Sequence, residues 1–376
     1  MSIGFNKPCI AGRELEHILR AVENCQLSGD GPFTEKCSRL LEQYLGAEKI
    51  LLTHSCTAAL EMAALLCDIQ PGDEFIVPGY TFVSTANAFV LRGGVPVFAD
   101  IRQDTLNMDE KHVESLISPR TRAIVPVHYA GVGCNMDALL AVARRHGLTV
   151  VEDAAQGVGA FYKGKALGTL GHFGCYSFHE TKNIISGEGG ALAVNDRRFA
   201  ARSEVIREKG TNRSAFFRGM VDKYTWVDTG SSYLPGELVA AFLYGQLEKA
   251  EDILTQRLAV WDRYHGLLAD LEAAGSIRRP VIPDECKHNG HMYYILTGNP
   301  DERTRLIRFL KDRGIQAVFH YVPLHNSPMG RKFAGEVALP VTENIADRLL
   351  RLPCYNTLSA AEQERVSAAI HAFYGA

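Results

Sequence analysis

Long hydrophobic runs are missing from this 376-residue chain. None approaches the roughly 18–20 apolar residues that a membrane-spanning helix needs, so no membrane association of that kind is expected. An excess of one charge is missing too. The 40 Lys and Arg face 43 Asp and Glu, a formal net charge of −3, which gives no support to non-specific nucleic-acid binding. Any phosphate binding must therefore be local. The opening residues, Met1 to Lys7, carry no charged segment followed by an apolar one, so no signal peptide is expected. The nine cysteines are an odd number, with no Cys-x-x-Cys pair among them. Most lie in apolar surroundings, such as Cys67 after Ala64-Leu65-Leu66, where thiols serve as small hydrophobes. No His, Cys and acidic cluster has metal-ligand spacing, so no metal is expected. A reduced, cytoplasmic protein is the expectation. The turn after the first strand, Leu52-Thr53-His54-Ser55-Cys56-Thr57, is not the Gly-x-Gly-x-x-Gly of a nicotinamide dehydrogenase.

What is present is enough chain for one large domain and a smaller one. A hydrophobic share of 46% with 22% charged residues is ordinary for a soluble globular protein. Residues 9–47 read as helical, interrupted by a turn at Leu27 to Pro32. From Lys49 onward strands alternate with helices. The strands are 49–52, 75–77, 95–99, 123–127 and 148–151, and the helices are 58–67, 80–91, 108–117 and 136–146. This rhythm predicts an α/β domain with a mostly parallel sheet covered on both faces. Residues 211–236 read as a long loop rich in Gly, Ser, Arg and aromatics, a site loop or a subunit contact. One helix is expected from Leu238 to about Leu271, leading into a smaller C-terminal α+β domain. Its parts are a strand near 293–296, a helix over 302–313, the segment 314–318 and a terminal helix over 360–374. The domain limits follow as 1–245 and 246–376.

The chain is organised around Gly174 to Gly190, where Lys182 sits on a loop between two apolar strands. An ammonium group there needs a reason, because buried lysines are rare without partners. Schiff-base formation is one such reason, since it uses an amine held out of bulk water. In parallel sheets ligands gather at the carboxyl ends of strands. Asp153, Phe82, His128, Ser177 and the Ser55–Thr57 loop all fall at such ends. Ser55 and Thr57 open a helix, which suits either a phosphate or simple N-capping. A strand-end carboxylate, an amine, phosphate donors and an aromatic ring are together what pyridoxal 5'-phosphate (PLP) needs.

On these residues the sequence resembles the DegT-type sugar aminotransferases, PLP enzymes of the aspartate-aminotransferase fold (fold type I). The carrying motifs are Leu27 to Pro32, Ser55-Cys56-Thr57-Ala58-Ala59-Leu60, Pro78-Gly79-Tyr80-Thr81-Phe82, Val151 to Gln156, Ser177 to Asn183 and His320 to His325. The resemblance implies Lys182 as the Schiff-base lysine and Asp153 as partner of the pyridine nitrogen. Gln156 is implied on the ring hydroxyl, Phe82 stacked on the ring, and Ser177 with Ser55, Cys56 and Thr57 about the phosphate. Cys56 stands where the family usually has glycine. Asn183 belongs to the same cofactor motif, and His128, His179, His320 and Tyr321 are candidates for substrate contact. Where many members carry Gly-x-Asn-x-Arg, this chain has Gly230-Ser231-Ser232-Tyr233-Leu234. Ser232 is placed to reach the phosphate of a neighbouring subunit, which implies a homodimer with shared sites.

That variant, with Arg207 to Arg213, points within the family to dTDP-4-amino-4,6-dideoxygalactose transaminases, which serve bacterial surface polysaccharide synthesis. The implied substrates are L-glutamate and a nucleotide-linked 4-keto sugar, handled in two ping-pong half-reactions. Transamination at sugar carbon 3 and a non-catalytic PLP-binding regulator remain alternatives. A sugar dehydratase of the same fold would have histidine in place of Lys182.

Overall fold

The computed structural model describes residues 2–375. Its strands, in chain order, are β1 (Ile50–Thr53), β2 (Glu74–Pro78), β3 (Val95–Ala99), β4 (Thr121–Ile124), β5 (Thr149–Asp153), β6 (Phe161–Tyr162), β7 (Lys165–Ala166), β8 (Phe173–Ser177), β9 (Gly190–Val194), β10 (Cys286–Lys287), β11 (Tyr293–Leu296) and β12 (Leu349–Leu352). Seven of them form one sheet in the order β1-β9-β8-β5-β4-β2-β3. The pairs β8–β5, β5–β4, β4–β2 and β2–β3 are parallel, and β9 runs against both of its neighbours. The expected mostly parallel α/β sheet is therefore present. Every residue of β1, β2, β8 and β9 is buried, as strands covered on both faces must be. That is why these segments read as near-continuous apolar runs.

The helices that cover the sheet start and stop on local signals. Ser55 Oγ accepts from the main-chain N–H of Ala58 at 3.1 Å and starts the helix Cys56–Leu66. Asn135 caps Met136–His146 in the same way, and Gly147, in the left-handed region with φ 64°, ends it. A second apolar core gathers Val260, Trp261, Tyr264, Tyr293, Ile295, Leu306, Leu310, Leu350, Leu352, Val366 and Ile370. Ile3 joins it from the far end of the chain, its N–H donating to the carbonyl of Gly314 at 2.7 Å.

Three expectations need correction. The helix expected from 238 to 271 is three helices, Glu237–Leu247, Ala250–Leu267 and Ala269–Ala273. Leu243 and Leu247 pack on the sheet core whereas Val260 and Trp261 pack on the second core, so one straight apolar stripe could not serve both. The loop 211–236 is not structureless. It holds the short helix Arg213–Phe217 and closes on itself through a bridge between Thr211 and Trp226. Finally, the sequence reading has no strand at 349–352, yet β12 pairs antiparallel with β11 from Tyr293–Leu352 to Leu296–Leu349.

Candidate active site

The carboxyl edge of the sheet opens into a cavity of about 570 Å³. Lys182 reaches it from the loop between β8 and β9. Asp153 ends β5 and Ser177 ends β8, while Ser55, Cys56 and Thr57 follow β1 and Phe82 follows β2; all of them line it. Gln156, His179, His320 and Tyr321 complete the expected residues found there.

Asp153 is the best supported of these side chains. It is only 5% exposed, and burial pushes its carboxyl above the ordinary carboxylate range. Thr85 Oγ1 donates to Oδ2 at 2.7 Å and the N–H of Ala155 to Oδ1 at 3.1 Å, both favouring the anion. Thr81 Oγ1 lies 2.8 Å from Thr85 Oγ1 and extends the chain of hydroxyls. The positive charge of Lys182 acts in the same direction. Lys182 is half-buried, with its free surface on the cavity, and desolvation holds its amine below the ordinary lysine value against the nearby Cys56 and Asp153. An amine so depressed is available uncharged closer to neutrality.

Hydroxyl donors cluster near the start of the helix Cys56–Leu66. Thr57 Oγ1 donates to Ser84 Oγ at 2.9 Å, and Ser177 lines the same cavity. The first-turn N–H groups of that helix have no intrahelical acceptor, which favours an anion there. Gly190 of β9 lies against this turn so closely that an added Cβ would run into the backbone of Ser55 and Cys56. A phosphate cradle, a buried carboxylate and a neutralisable amine in one cavity fit PLP.

The remaining wall comes from later in the chain. Gln156 Oε1 accepts from the N–H of Ala130 at 2.7 Å, and its Nε2 donates to Tyr321 Oη at 3.4 Å. His320 Nδ1 is 2.9 Å from Tyr129 Oη, and Tyr80 Oη donates to the His320 carbonyl. Phe82, 56% exposed, lies 6.4 Å from the Tyr321 ring, centroid to centroid. His179 stands nearer the solvent, its Nδ1 2.9 Å from Thr181 Oγ1.

Three expected site residues do not reach the cavity. His128 is fully buried, with Nε2 at 2.8 Å from Glu152 Oε2 and Nδ1 accepting from the N–H of Cys134 at 3.1 Å. Both ring nitrogens are thus used, and Glu152 also accepts from the N–H groups of Gly168, Leu170 and Gly171. His128 ties a strand end to a turn and does not contact substrate. Asn183 turns away from the main cavity, donating to the Asn289 carbonyl at 2.8 Å. Its amide groups are engaged there, which removes it as a direct cofactor ligand. Ser232 is exposed, bridged to Glu208, and does not line the cavity of its own chain.

Among the lining residues that the sequence reading does not single out are Thr85, His291, Met292 and Arg351. Thr85 carries a legible signal, a third hydroxyl after Thr81 and Ser84 at the start of a helix. Arg351 carries a weaker one, a lone cation among Leu349, Leu350 and Leu352. Among the described residues no carboxylate or carbonyl meets its guanidinium, whose Nε is buried without a partner and which stacks on Phe5 at 4.8 Å.

Residues 8–371 match the DegT/DnrJ/EryC1/StrS aminotransferase family. The chain belongs to that family. It is 34% identical over 378 residues to the spore coat polysaccharide biosynthesis protein SpsC of Bacillus subtilis, covering 97% of this chain and 95% of SpsC. It is also 34% identical over 372 residues to the GDP-perosamine synthase of Caulobacter vibrioides, covering 98% and 97%. The fold is that of Spr1654 from Streptococcus pneumoniae in its PLP-form, with a TM-score of 0.92 at 24% identity, covering 100% and 99% of the two chains. As a DegT/DnrJ/EryC1/StrS aminotransferase the chain is a PLP-dependent enzyme. Among the described residues no helix is long and apolar enough to cross a membrane.

Proposed function

We propose that the enzyme transfers the amino group of L-glutamate to the 4-keto carbon of a dTDP-linked 4-keto-6-deoxy sugar. The products are dTDP-4-amino-4,6-dideoxygalactose and 2-oxoglutarate. One observation carries the aminotransferase part: Lys182 and the Thr85-supported Asp153 line the same cavity. When bound, PLP supplies an electron sink that lets an amino acid give up its α-proton. The chain's own residues do the rest. Asp153 would hold a negative charge for the pyridine nitrogen, and Ser55, Thr57 and Ser177 would offer donors to the phosphate. Lys182 Nζ takes the donor's α-proton as a general base and then gives it up again as a general acid.

Arg351 supports an anionic amino donor. A half-buried guanidinium without a counter-charge leaves its donors unmet, and a carboxylate matches them two at a time. His320 and Tyr321 offer polar edges to the sugar, and His179 stands where the cavity meets solvent. The sugar itself is supported by the Gly230 to Leu234 variant and by relatives whose names concern polysaccharide biosynthesis and a GDP-linked amino sugar. The last of these favours a second reading, a GDP-linked 4-keto sugar in the same cavity. A homodimer with shared sites is supported by apolar side chains left open on the 211–236 segment. Phe217, Met220 and Trp226 are 69%, 70% and 78% exposed, and Ser232 lies just beyond them.

The deciding experiment follows the absorption of the holoenzyme while L-glutamate and then dTDP-4-keto-6-deoxyglucose are added. Bleaching by glutamate and recovery with this sugar support both parts of the proposal. Bleaching with recovery only on a GDP-linked 4-keto sugar replaces the substrate. No bleaching at all removes glutamate as the donor.

A further inference from the structure

His291 lines the cavity beside Lys182, and neither the sequence nor the reaction just described uses it. Its surroundings fix which of its nitrogens carries the proton. Nδ1 lies 3.0 Å from Oδ1 of Asn183. Asn183 cannot be turned over, because its Nδ2 donates to the carbonyl of Asn289 at 2.8 Å. Asn289 is held in turn: its Nδ2 donates to the carbonyls of Gln156 and Val158, both at 2.8 Å. Its Oδ1 accepts from the N–H of His291 at 3.1 Å. The atom that meets the His291 ring is therefore an amide oxygen, which only accepts, so Nδ1 carries the hydrogen. Nε2 is left with a lone pair. Among the described residues nothing donates to it.

A second proton is not available to this ring. Burial presses its pKa well below the ordinary histidine value, and the positive charges of Lys182, Arg257 and Arg351 and the ring of His320 act the same way. Lys182 is the strongest of these charges. Arg257 is already engaged with the carbonyls of Gly290, His291 and Cys354, at 3.2, 2.7 and 3.1 Å. The result is a neutral imidazole with one fixed acceptor atom, held next to a lysine that alternates between amine and ammonium.

We propose that His291 is a positioning residue for Lys182: its Nε2 accepts a hydrogen bond from Nζ once the amino donor has displaced the lysine and Nζ turns towards the His291 side of the cavity. An ammonium has three N–H bonds. Giving one to Nε2 fixes the direction of the other two, so the proton taken from the donor's α-carbon points back at the cavity. No proton passes to His291; the one taken from the α-carbon stays on Lys182 until it is returned. This explains why the ring is locked in one tautomer by two asparagines and surrounded by cations. A histidine that could itself ionise would donate at Nε2 and repel the ammonium. Asn183, unsuited to hold the cofactor directly, acquires a task one residue from the lysine it serves.

The inference rests on the aminotransferase reading of Lys182, and two measurements separate its failure from the failure of that reading. Nitrogen-15 NMR of the histidine-labelled holoenzyme reads the tautomer directly and needs no turnover. Hydrogen on Nδ1 and none on Nε2 from pH 6 to 9 is expected; a protonated Nε2 in that range overturns the proposal. The first half-reaction is then measured for His291→Leu with ordinary and α-deuterated glutamate. Loss of one positioning bond predicts a kcat about tenfold lower, a larger deuterium isotope effect and an unchanged KM. An unchanged kcat, or a raised KM alone, overturns the proposal and gives Nε2 to the substrate. Should His291→Leu not fold, Asn183→Asp decides. A carboxylate at Nδ1 promotes a charged ring, and the proposal requires the half-reaction to slow with the same rise in isotope effect; a normal isotope effect overturns it.

Discussion

Replacing Thr85 by valine tests the carboxylate on which the chemistry depends. The two side chains are nearly the same size, so the change removes a hydroxyl with little loss of packing. Thr85 is fully buried and donates to Asp153 Oδ2 at 2.7 Å. Burial pushes the Asp153 carboxyl up; the Thr85 hydroxyl is the largest of the groups that hold it down, ahead of the Ala155 N–H and the charge on Lys182. A hydrogen bond to a charged group contributes about 1.5–3 kcal/mol, or about one to two pKa units at 1.36 kcal/mol per unit. Asp153 acts as an anion, so raising its pKa removes the active form as pH falls and does so at a higher pH than in the parent enzyme. The acid limb of kcat/KM for glutamate, measured from pH 5 to 9, should move upward by about one to two units in Thr85→Val. The two profiles should converge on the alkaline side. Thr85→Ser keeps the hydroxyl and should restore the parent profile. Superimposable acid limbs for the parent and Thr85→Val would refute the claim that this hydroxyl sustains the Asp153 anion.

Lys182→Ala should still retain PLP through the phosphate and Asp153 contacts yet show no transamination; substantial turnover would end the assignment of Lys182. Arg351→Gln should raise the KM for glutamate by about ten- to a hundredfold, the worth of about 1.5–3 kcal/mol. The half-reaction with the keto sugar should be spared, and single-turnover kinetics on each half separates the two. Gly190→Ala should push the Ser55–Cys56 backbone away from β9 and weaken PLP retention, read by equilibrium dialysis, while far-ultraviolet circular dichroism stays unchanged.

How much of this was legible beforehand varies with the physics of each part. The sheet strands and their helices announce themselves because burial on both faces leaves apolar runs separated by turn residues. Asp153, Ser177 and the Ser55–Thr57 turn fall at strand ends, so reading the strands placed them. His128 also falls at a strand end and yet misses the cavity, because residue order fixes a side chain's position along the chain but not its direction. Glu152, one residue before the Asp153 that serves the site, turns the other way and draws His128 with it. Thr85, His291 and Arg351 were less legible for a different reason. Each matters through a partner far off in sequence: Thr85 through Asp153, His291 through Asn183, and Arg351 through the lack of any counter-charge. Relations of that kind exist only after folding.

The cavity wall divides by origin, and the division has a consequence for substrate choice. Asp153 and Ser177 end strands of the sheet ladder, and Lys182 and the Ser55–Thr57 turn lie on the segments that follow its strands at the same edge. His291 and Met292 directly precede β11, and Arg351 lies in β12, so these belong to the two-stranded antiparallel sheet whose residues build the second core. The Arg351 backbone is further tied to Val318, two residues before His320, by paired bonds of 3.2 and 2.8 Å. The residues proposed for the cofactor thus sit on one framework and those proposed for glutamate and sugar on another. A substitution in the first group changes what every substrate meets. One in the second can alter a single half-reaction, because the cofactor's supports are elsewhere. A family can then retain one chemistry while exchanging sugars and nucleotides, provided that variation falls on the segments around Met292, His320 and Arg351. Chimaeras that exchange residues 286–296 and 318–352 with those of the GDP-perosamine synthase relative would put this to the test. Keto-sugar preference should follow the exchanged segments while glutamate-driven bleaching persists; preference that stays with the sheet edge would mean that the nucleotide sugar is read there instead.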